Sequence, residues 1–475
     1  MIARAPSCAC FRTHSMTDKN ARGFAHTRDQ FQQLAEDALA LAKSLGASEA
    51  GVEVSEGVGL SVSVRKGEVE NVERNRDKSL GVTVYVGQRR GNASTSDFSR
   101  TALEQTVRAA HDIARFTAED PAAGLPEVED LAFGAVAERD LDLFHPWAIV
   151  AEQAVEIAQR CEAAALEVDR RITNSDGAGV SAQQSHFFMA NSRGFRGGYP
   201  SSRHSVSVAP IASLPGKRGD DMQRDAWYSS LRSPDDLAAP EAVGRYAAER
   251  ALSRLAARKV ATTEVPVLFE STVASGLLGS LVGAVSGGAL YRKSSFLLDS
   301  LGKEVMAPHL DVREDPHVLR GKGSAPFDDE GVVTRARDVV KAGVLQGYFL
   351  SSYSARKLGM RSTGHAGGSQ NLTLSSRLTQ PGDDLDAMLK KLHRGLFVIE
   401  LMGQGVNQVT GDYSRGAAGF WVENGRIAFP VHEIPIAGNL RDMLKGIVAV
   451  GADTYTAGSR TLGSVLVERM KLAGS

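Results

Sequence analysis

Leu60-Ser61-Val62-Ser63-Val64-Arg65 and, beyond a charged stretch, Leu80-Gly81-Val82-Thr83-Val84-Tyr85-Val86 place an apolar side chain at every second position. Period two with one apolar and one polar face marks half-buried antiparallel strands, and two such runs in succession predict a meander. The residues before them follow a different period: Phe31, Leu34, Ala38, Leu41 and Leu45 recur at helical spacing, and Gly46 stands where a C-cap glycine ends a helix. Ser99 opens a second helix with Leu103, Val107, Ala110 and Ala114 on one stripe, and a Pro- and acid-containing connection at 119–126 leads to a third with Val150, Ala154, Ile157, Cys161 and Ala165. Strand patterns then return over 171–181, 186–191 and 205–211, broken by Gly- and Asn-rich turns. Helix followed by antiparallel strands thus occurs twice. The fold class is α+β: an N-terminal domain (29–229) of two repeated helix-plus-antiparallel-sheet units, followed by a β-rich C-terminal domain (230–475).

The boundary falls at 230–240, where Ser, Pro and Asp cluster ahead of another helical run over 241–258. Past Thr263 glycine becomes frequent, and the spacing of Gly403, Gly405, Gly411, Gly416 and Gly419 suits turns and close backbone approach better than helix. Residues 1–28 lack the continuous apolar run of a secretory signal and are expected to form a disordered extension, with Met16 a second candidate start. The 475 residues are 42% hydrophobic and 23% charged, the profile of a globular protein with a large core. With 55 basic against 56 acidic residues, no long-range field gathers nucleic acid or an anionic membrane. Three cysteines cannot all pair, which suits a reducing cytoplasm, and Cys161 on an apolar stripe is expected to be an inert buried thiol. The uncharged stretch 271–290, with Gly279 and Gly283 at GxxxG spacing, is too diluted by Gly and Ser for a membrane span and predicts a buried core helix.

No catalytic motif accompanies this frame. A zinc peptidase of the HExxH type needs two imidazoles one helical turn apart and a Glu to activate water. His432-Glu433 has no second His at that spacing and runs into Pro435, which opposes a continuing helix. His309, His317, His365 and His393 contain no i,i+4 pair, and no G-x-S-x-G elbow is present. Gly403-Gln404-Gly405 opens like a dinucleotide fingerprint, but Gln408 stands at the third glycine and no P-loop Lys follows. Asp328-Asp329-Glu330-Gly331 reads as a solvated turn before a strand. No catalytic residue and no metal ligand is assigned. Two stretches remain, 362–371 and 403–416, where glycines alternate with amides and hydroxyls. Such sequences let another backbone approach closely while offering donors and acceptors, as capture of an extended peptide requires, and they equally suit tight turns between strands.

At these residues the chain resembles the TldD/PmbA family, and within it the PmbA (TldE) branch. The likeness is carried by 81–85 with Gly91 and 94–96, by 327–331 with Gly343-Val344-Leu345 and Tyr348, and most specifically by 362–374 and 409–425. It runs from about 31 to 450. The resemblance implies a cytoplasmic bacterial zinc metallopeptidase, usually a TldD–TldE heterodimer, in which unfolded peptides enter an internal cavity and are degraded or trimmed. It implies zinc in the TldD-like catalytic partner, held by an HExxxH helix and a Cys, and no cofactor in this chain. In the corresponding neighbourhood, 268–285, Phe269, Glu270 and Ala274 occupy the His, Glu and His positions, so only the Glu matches. The expected role is the metal-free, substrate-binding subunit, with homodimers when alone and no nucleic-acid or membrane partner. Its candidate peptide-binding residues are His365, Asn371, Gln404, Asn407, Asp412, Tyr413 and Arg415. Two other readings stay open: a self-sufficient metallopeptidase with a site assembled from dispersed ligands such as His365, and a non-enzymatic peptide-binding adaptor of the gyrase-modulator type.

Overall fold

The computed structural model describes residues 23–215 and 221–474. In the N-terminal unit, helix α1 (Arg28–Ser44) precedes β1 (Glu49–Arg65), β2 (Glu68–Val86) and β3 (Arg89–Thr95), and α2 (Arg100–Phe116) follows. The second set is α3 (Ala151–Leu166), β4 (Ile172–Asn191), β5 (Arg196–Gly197), β6 (Pro200–Leu214), β7 (Asp221–Arg224), β8 (Trp227–Leu231) and α4 (Pro240–Ser253). Both expected helix-plus-strand sets are present, merged into a single sheet of order β3-β2-β1-β4-β6-β7, to which β5 and β8 add at the side. The merger follows from strand length. On β1 the residues Ala50, Val52, Val54, Leu60, Val62 and Val64 are all buried, with Glu56 the one charged group among them, so one face turns inward from end to end. Helices α1 and α2 cover its first half and α3 and α4 its second. The charged stretch before Leu80 is strand as well, since Leu60 pairs with Arg74 and Val62 with Val72. It carries no apolar alternation because it forms the exposed part of a long hairpin.

Two boundaries move. Residues 23–28, assigned by composition to the extension, are packed: the Ala25 and His26 amides donate to the Glu56 carboxylate at 2.8 and 3.1 Å, and Thr27 closes a capping box with Gln30 at the start of α1. Residues 1–22 lie outside the described residues. The linker expected at 230–240 does not part the domains either. Val243, Ala247, Ala248, Ala251 and Leu255 share a core with α3 and β6, and a Cβ on Gly244 would lie 2.2 Å from the Cys161 carbonyl oxygen. The first unit therefore ends after Leu255, because the apolar stripe of α4 is buried on its own side. Cys161 is fully buried between α3 and α4, and burial pushes its thiol up to about 12.

The C-terminal unit is β-rich, as expected. One six-stranded sheet has the order β12 (Val344–Leu345), β11 (Arg337–Lys341), β10 (Leu310–Asp315), β13 (Asn371–Ser376), β19 (Arg460–Leu462) and β18 (Tyr455–Ala457). The other has β16 (Arg426–Asn439), β15 (Asp412–Glu423), β14 (Gly395–Met402), β9 (Thr263–Phe269), β20 (Val465–Leu472) and β17 (Ile447–Val450), and β16 also pairs with β20, closing most of it into a ring. Helix α5 (Ser271–Ala284) buries Ala274, Leu277, Leu278 and Leu281 in the main core with α6 (Gly287–Tyr291) behind it. No helix among the described residues is long and apolar enough to cross a membrane. Helix α7 (Ser352–Lys357) reaches the first unit, whereas α8 (Leu385–Leu392) and α9 (Leu440–Lys445) cap the second.

Candidate functional site

Because strand residues alternate between faces, helices on one face of the N-terminal sheet leave the other open. That open face carries Gly51, Glu53 and Ser55 of β1, Ser79, Gly81 and Thr83 of β2, and Asn92 and Ser94 of β3. It floors a cleft of about 1060 Å³, closed on the far side by the 117–126 connection and by Asp329, Glu330, Tyr353 and Lys357 of the C-terminal unit. Among the described residues, the side chains of Ser55, Ser79, Thr83, Asn92 and Ser94 have no hydrogen-bond partner. A Cβ built on Gly81 meets nothing within 4 Å. The floor is thus small, flat and rich in free hydroxyls, a surface that an extended polar chain can approach closely.

The two units are pinned across this cleft. Lys357 Nζ and Tyr353 Oη donate to the two oxygens of Asp120, both at 2.7 Å, and these bonds, that from Lys357 foremost, hold the Asp120 carboxyl down at about 2. Arg356 donates to the Ala122 and Gly124 carbonyls at 3.2 and 3.1 Å. The acids that face the opening behave in the opposite way. Partial enclosure by the cleft walls, with Asp329 nearby, raises Glu53, and the same enclosure with Glu330 raises Asp329, although both side chains keep contact with solvent. Asp328 behind them is pushed up to about 7 by burial and then by Glu330.

The 328–331 run is therefore a bend, as its glycine predicted, with Asp329 exposed but Asp328 withdrawn from solvent. Asp328 is 5% exposed and its carboxylate accepts from the Glu330, Val332 and Ala366 amides, each at 2.9 Å. Those bonds turn Asp329 and Glu330 toward the cleft and fasten the glycine-rich wall at Ala366. Beyond Glu53, Met189 and Asp329 the cleft opens into an annex of about 380 Å³ lined by Tyr199, Arg232, Lys322 and the stretch from Ala366 to Gln370.

The seven candidate residues do not gather. His365 is 6% exposed, with Nε2 at 2.8 Å from Glu314 Oε2 and Nδ1 at 2.9 Å from Thr363 Oγ1, and Arg337 Nε donates to the same Glu314 oxygen at 2.8 Å. Burial lowers His365, and it belongs to an internal polar network. Asn371 accepts from the Gly323 amide at 2.9 Å and donates to Ser324 Oγ at 2.7 Å, bracing the loop that carries Lys322. Gln404 is exposed, and Asn407 and Asp412 shape an exposed turn in which Asn407 Oδ1 accepts from the Val409 amide at 2.9 Å and Thr410 Oγ1 donates to Asp412 at 2.7 Å. Tyr413 is 4% exposed with an unpartnered hydroxyl, and Arg415 reaches the Leu401 carbonyl at 3.4 Å. None of the seven lines the cleft or its annex. Of the two glycine-rich stretches, only the first reaches the cavity, from Ala366 to Gln370. Glu53, Arg232 and Lys322 were missed because nothing local marks them, and Asp329 was read only as part of a turn, whereas the small polar face of β2 was legible as the complement of its apolar alternation.

The 269–274 positions do not fit a zinc ion. Phe269 and Ala274 are fully buried hydrocarbon, and Glu270 accepts from Arg250 at 2.7 and 3.3 Å and from Thr272 at 2.5 Å. Arg250 and Arg254 further share Asp225, each at 3.3 Å, so positive charge at this place is supplied by guanidinium groups. Among the described residues no group of three or more His, Cys, Asp or Glu side chains is arranged to hold a metal.

Three domain models of the PmbA/TldA metallopeptidases match in succession: domain 1 at 50–114, the central domain at 144–255 and the C-terminal domain at 262–474. The central match ends where α4 leaves the first core. The metalloprotease PmbA of Escherichia coli O157:H7 is 52% identical over 92% of this chain and 94% of its own length. A PmbA homolog of Haemophilus influenzae is 46% identical over 94% and 96%, while the TldD homolog of the same species is 24% identical over 79% of each chain. Among solved structures, a putative modulator of DNA gyrase from Bacteroides thetaiotaomicron superposes with a TM-score of 0.87 at 28% identity, covering 94% of this chain and 99% of its own. TldE from Thermococcus kodakarensis shares the fold, with a TM-score of 0.78 at 19% identity over 93% of this chain and 100% of its own. With matched models spanning both units and half of its residues shared with a named relative along nearly the whole length, the chain belongs to the TldD/PmbA metallopeptidase family, in its PmbA (TldE) branch.

Proposed function

We propose that this chain is the metal-free, substrate-holding subunit of a cytoplasmic TldD/TldE-type zinc metallopeptidase, and that unfolded peptide lies along the cleft between its two units. The observation that carries the proposal is the chemistry at 269–274, where a phenyl ring and a methyl group stand in place of imidazoles and the remaining carboxylate is engaged by Arg250. The zinc and the water-activating carboxylate then belong to a TldD-like partner. This subunit supplies position: holding an extended chain against a reacting centre removes entropy that the bond-breaking step would otherwise have to overcome. The cleft floor suits that task, because free hydroxyls and glycine positions serve peptide backbone without selecting side chains.

The test is reconstitution. The isolated chain is expected to carry far less than stoichiometric zinc and to leave an unfolded peptide intact, and addition of a TldD-like chain is expected to yield a co-eluting complex with chelator-sensitive cleavage. Stoichiometric zinc with turnover by the isolated chain overturns the proposal. So does a partner whose cleavage is indifferent to this subunit.

A further inference from the structure

The annex of the cleft holds positive charge that, among the described residues, forms no ion pair with an acidic side chain. Arg232 is 8% exposed, yet its guanidinium meets only backbone: Nε donates to the Gly321 carbonyl at 3.1 Å, Nη1 to Ser202 at 3.3 Å and Nη2 to Lys322 at 3.2 Å. Lys322 and Arg203 stand beside it, and among the described residues none of the three has a carboxylate partner. Burial and then Arg203 bring Arg232 down to about 10, and burial with the same neighbours lowers Lys322. Buried charges are ordinarily paired, because an unpaired one keeps its full desolvation cost. Acids were within reach of the fold: Glu53 and Asp329 line the same annex, but neither forms an ion pair with Arg232 or Lys322.

The opposite wall is formed by the stretch from Ala366 to Gln370. Gln370 is 6% exposed and donates through Nε2 to the Gly364 carbonyl at 3.1 Å, while its Oε1 has no partner. Next to it Gly367 and Gly368 adopt φ of +95° and +114°, which brings backbone to the cavity with no side chain in the way.

We propose that Lys322 and Arg232 seat the C-terminal carboxylate of a peptide lying in the cleft, an inference that rests on the cleft being the peptide's place. A singly charged carboxylate is favoured over a phosphate because Glu53 and Asp329, also unpaired in this annex, oppose a dianion more strongly. The chain terminus is favoured because it is the one anion that every unfolded peptide carries whatever its sequence.

The test uses the full-length chain and a short fluorescein-labelled Ser/Ala/Leu peptide, made as the free acid, as the C-terminal amide, and as an amide ending in Asp. Fluorescence anisotropy is expected to show the free acid binding about tenfold more tightly than the plain amide, the scale of one charge-assisted pair. Lys322→Gln is expected to cut that ratio to about twofold. Lys322 is chosen over Arg232, whose backbone bonds hold the 321–322 loop, and a melting curve checks that the variant folds. Equal binding of acid and amide, or a ratio unchanged in Lys322→Gln, overturns the carboxylate seat while leaving the peptide cleft standing. An Asp-ending amide that matches the free acid reassigns the seat to acidic side chains and overturns the terminal reading. Failure of every peptide to bind removes both this inference and the cleft beneath it.

Discussion

Asp328 offers a quantitative check on how the cleft is built. Its carboxylate is almost fully buried and is raised from the ordinary 3.8 to about 7, by burial first and by Glu330 second, against the three amides that favour its ionised form. An acid whose folded value lies above its unfolded one binds more protons in the native state between the two, so stability must fall as pH rises through that window and level off above it. At about 1.4 kcal/mol for each pH unit the whole window is worth about 4 kcal/mol, of which about 3 kcal/mol lies between about pH 5 and about pH 8. Asp328→Asn removes the titration. It also turns an amide N–H toward the Glu330 and Val332 amides or toward the Ala366 amide, leaving a donor unmet at a cost of about 1–3 kcal/mol at every pH. Urea denaturation of both proteins across this range is the assay. The wild type is expected to lose about 3 kcal/mol relative to the variant on going from acid to alkali. Parallel curves would refute the claim that this bend buries a carboxyl group without a counter-charge.

Two further outcomes follow from the packing. Glu270→Ala leaves Arg250 buried with only Asp225 opposite and is expected to destabilise the protein by about 3 kcal/mol, read as a lowered melting temperature; an unchanged melt would mean the guanidinium network is not structural. Gly91→Ala places a Cβ 2.1 Å from the Ala110 carbonyl and must push α2 off β3, whereas Gly81→Leu points into open cleft. Thermal melts are therefore expected to show a large loss for the first and a shift within about 1 kcal/mol for the second, while peptide turnover by the reconstituted pair falls in Gly81→Leu. Full turnover in Gly81→Leu would place the peptide elsewhere.

Local pattern was enough to reveal the fold class and the individual elements, but not that the two sets share one sheet. The alternation from Leu60 to Val64 and from Leu80 to Val86 predicted the sheet, and the stripes of α1 to α3 predicted its cover, because period records which face a residue turns to the core. It failed where amphipathicity is absent, in the charged hairpin before Leu80, and where composition stood in for packing, at 23–28 and at 230–240. The glycine-rich stretches were recognised, but of the two only the residues from Ala366 to Gln370 lie beside the cleft. His365 shows why side chains were harder: the same imidazole could line a cavity or be buried against Glu314, and only the strand pairing of β10 with β13 decides between them.

By itself the amino-acid order determined the α+β class, the apolar and polar faces of the strands, and the lack of an imidazole pair at 269–274, since each is a property of neighbours along the chain. Tertiary structure alone decided that the polar face of β1–β3 looks into a cleft, that Glu53 meets Asp329 across two units, and that Arg232 is buried without a counter-charge. Those facts depend on pairs distant in sequence. Electrostatic energy depends on separation in space and on exclusion of water, and neither is written in local spacing.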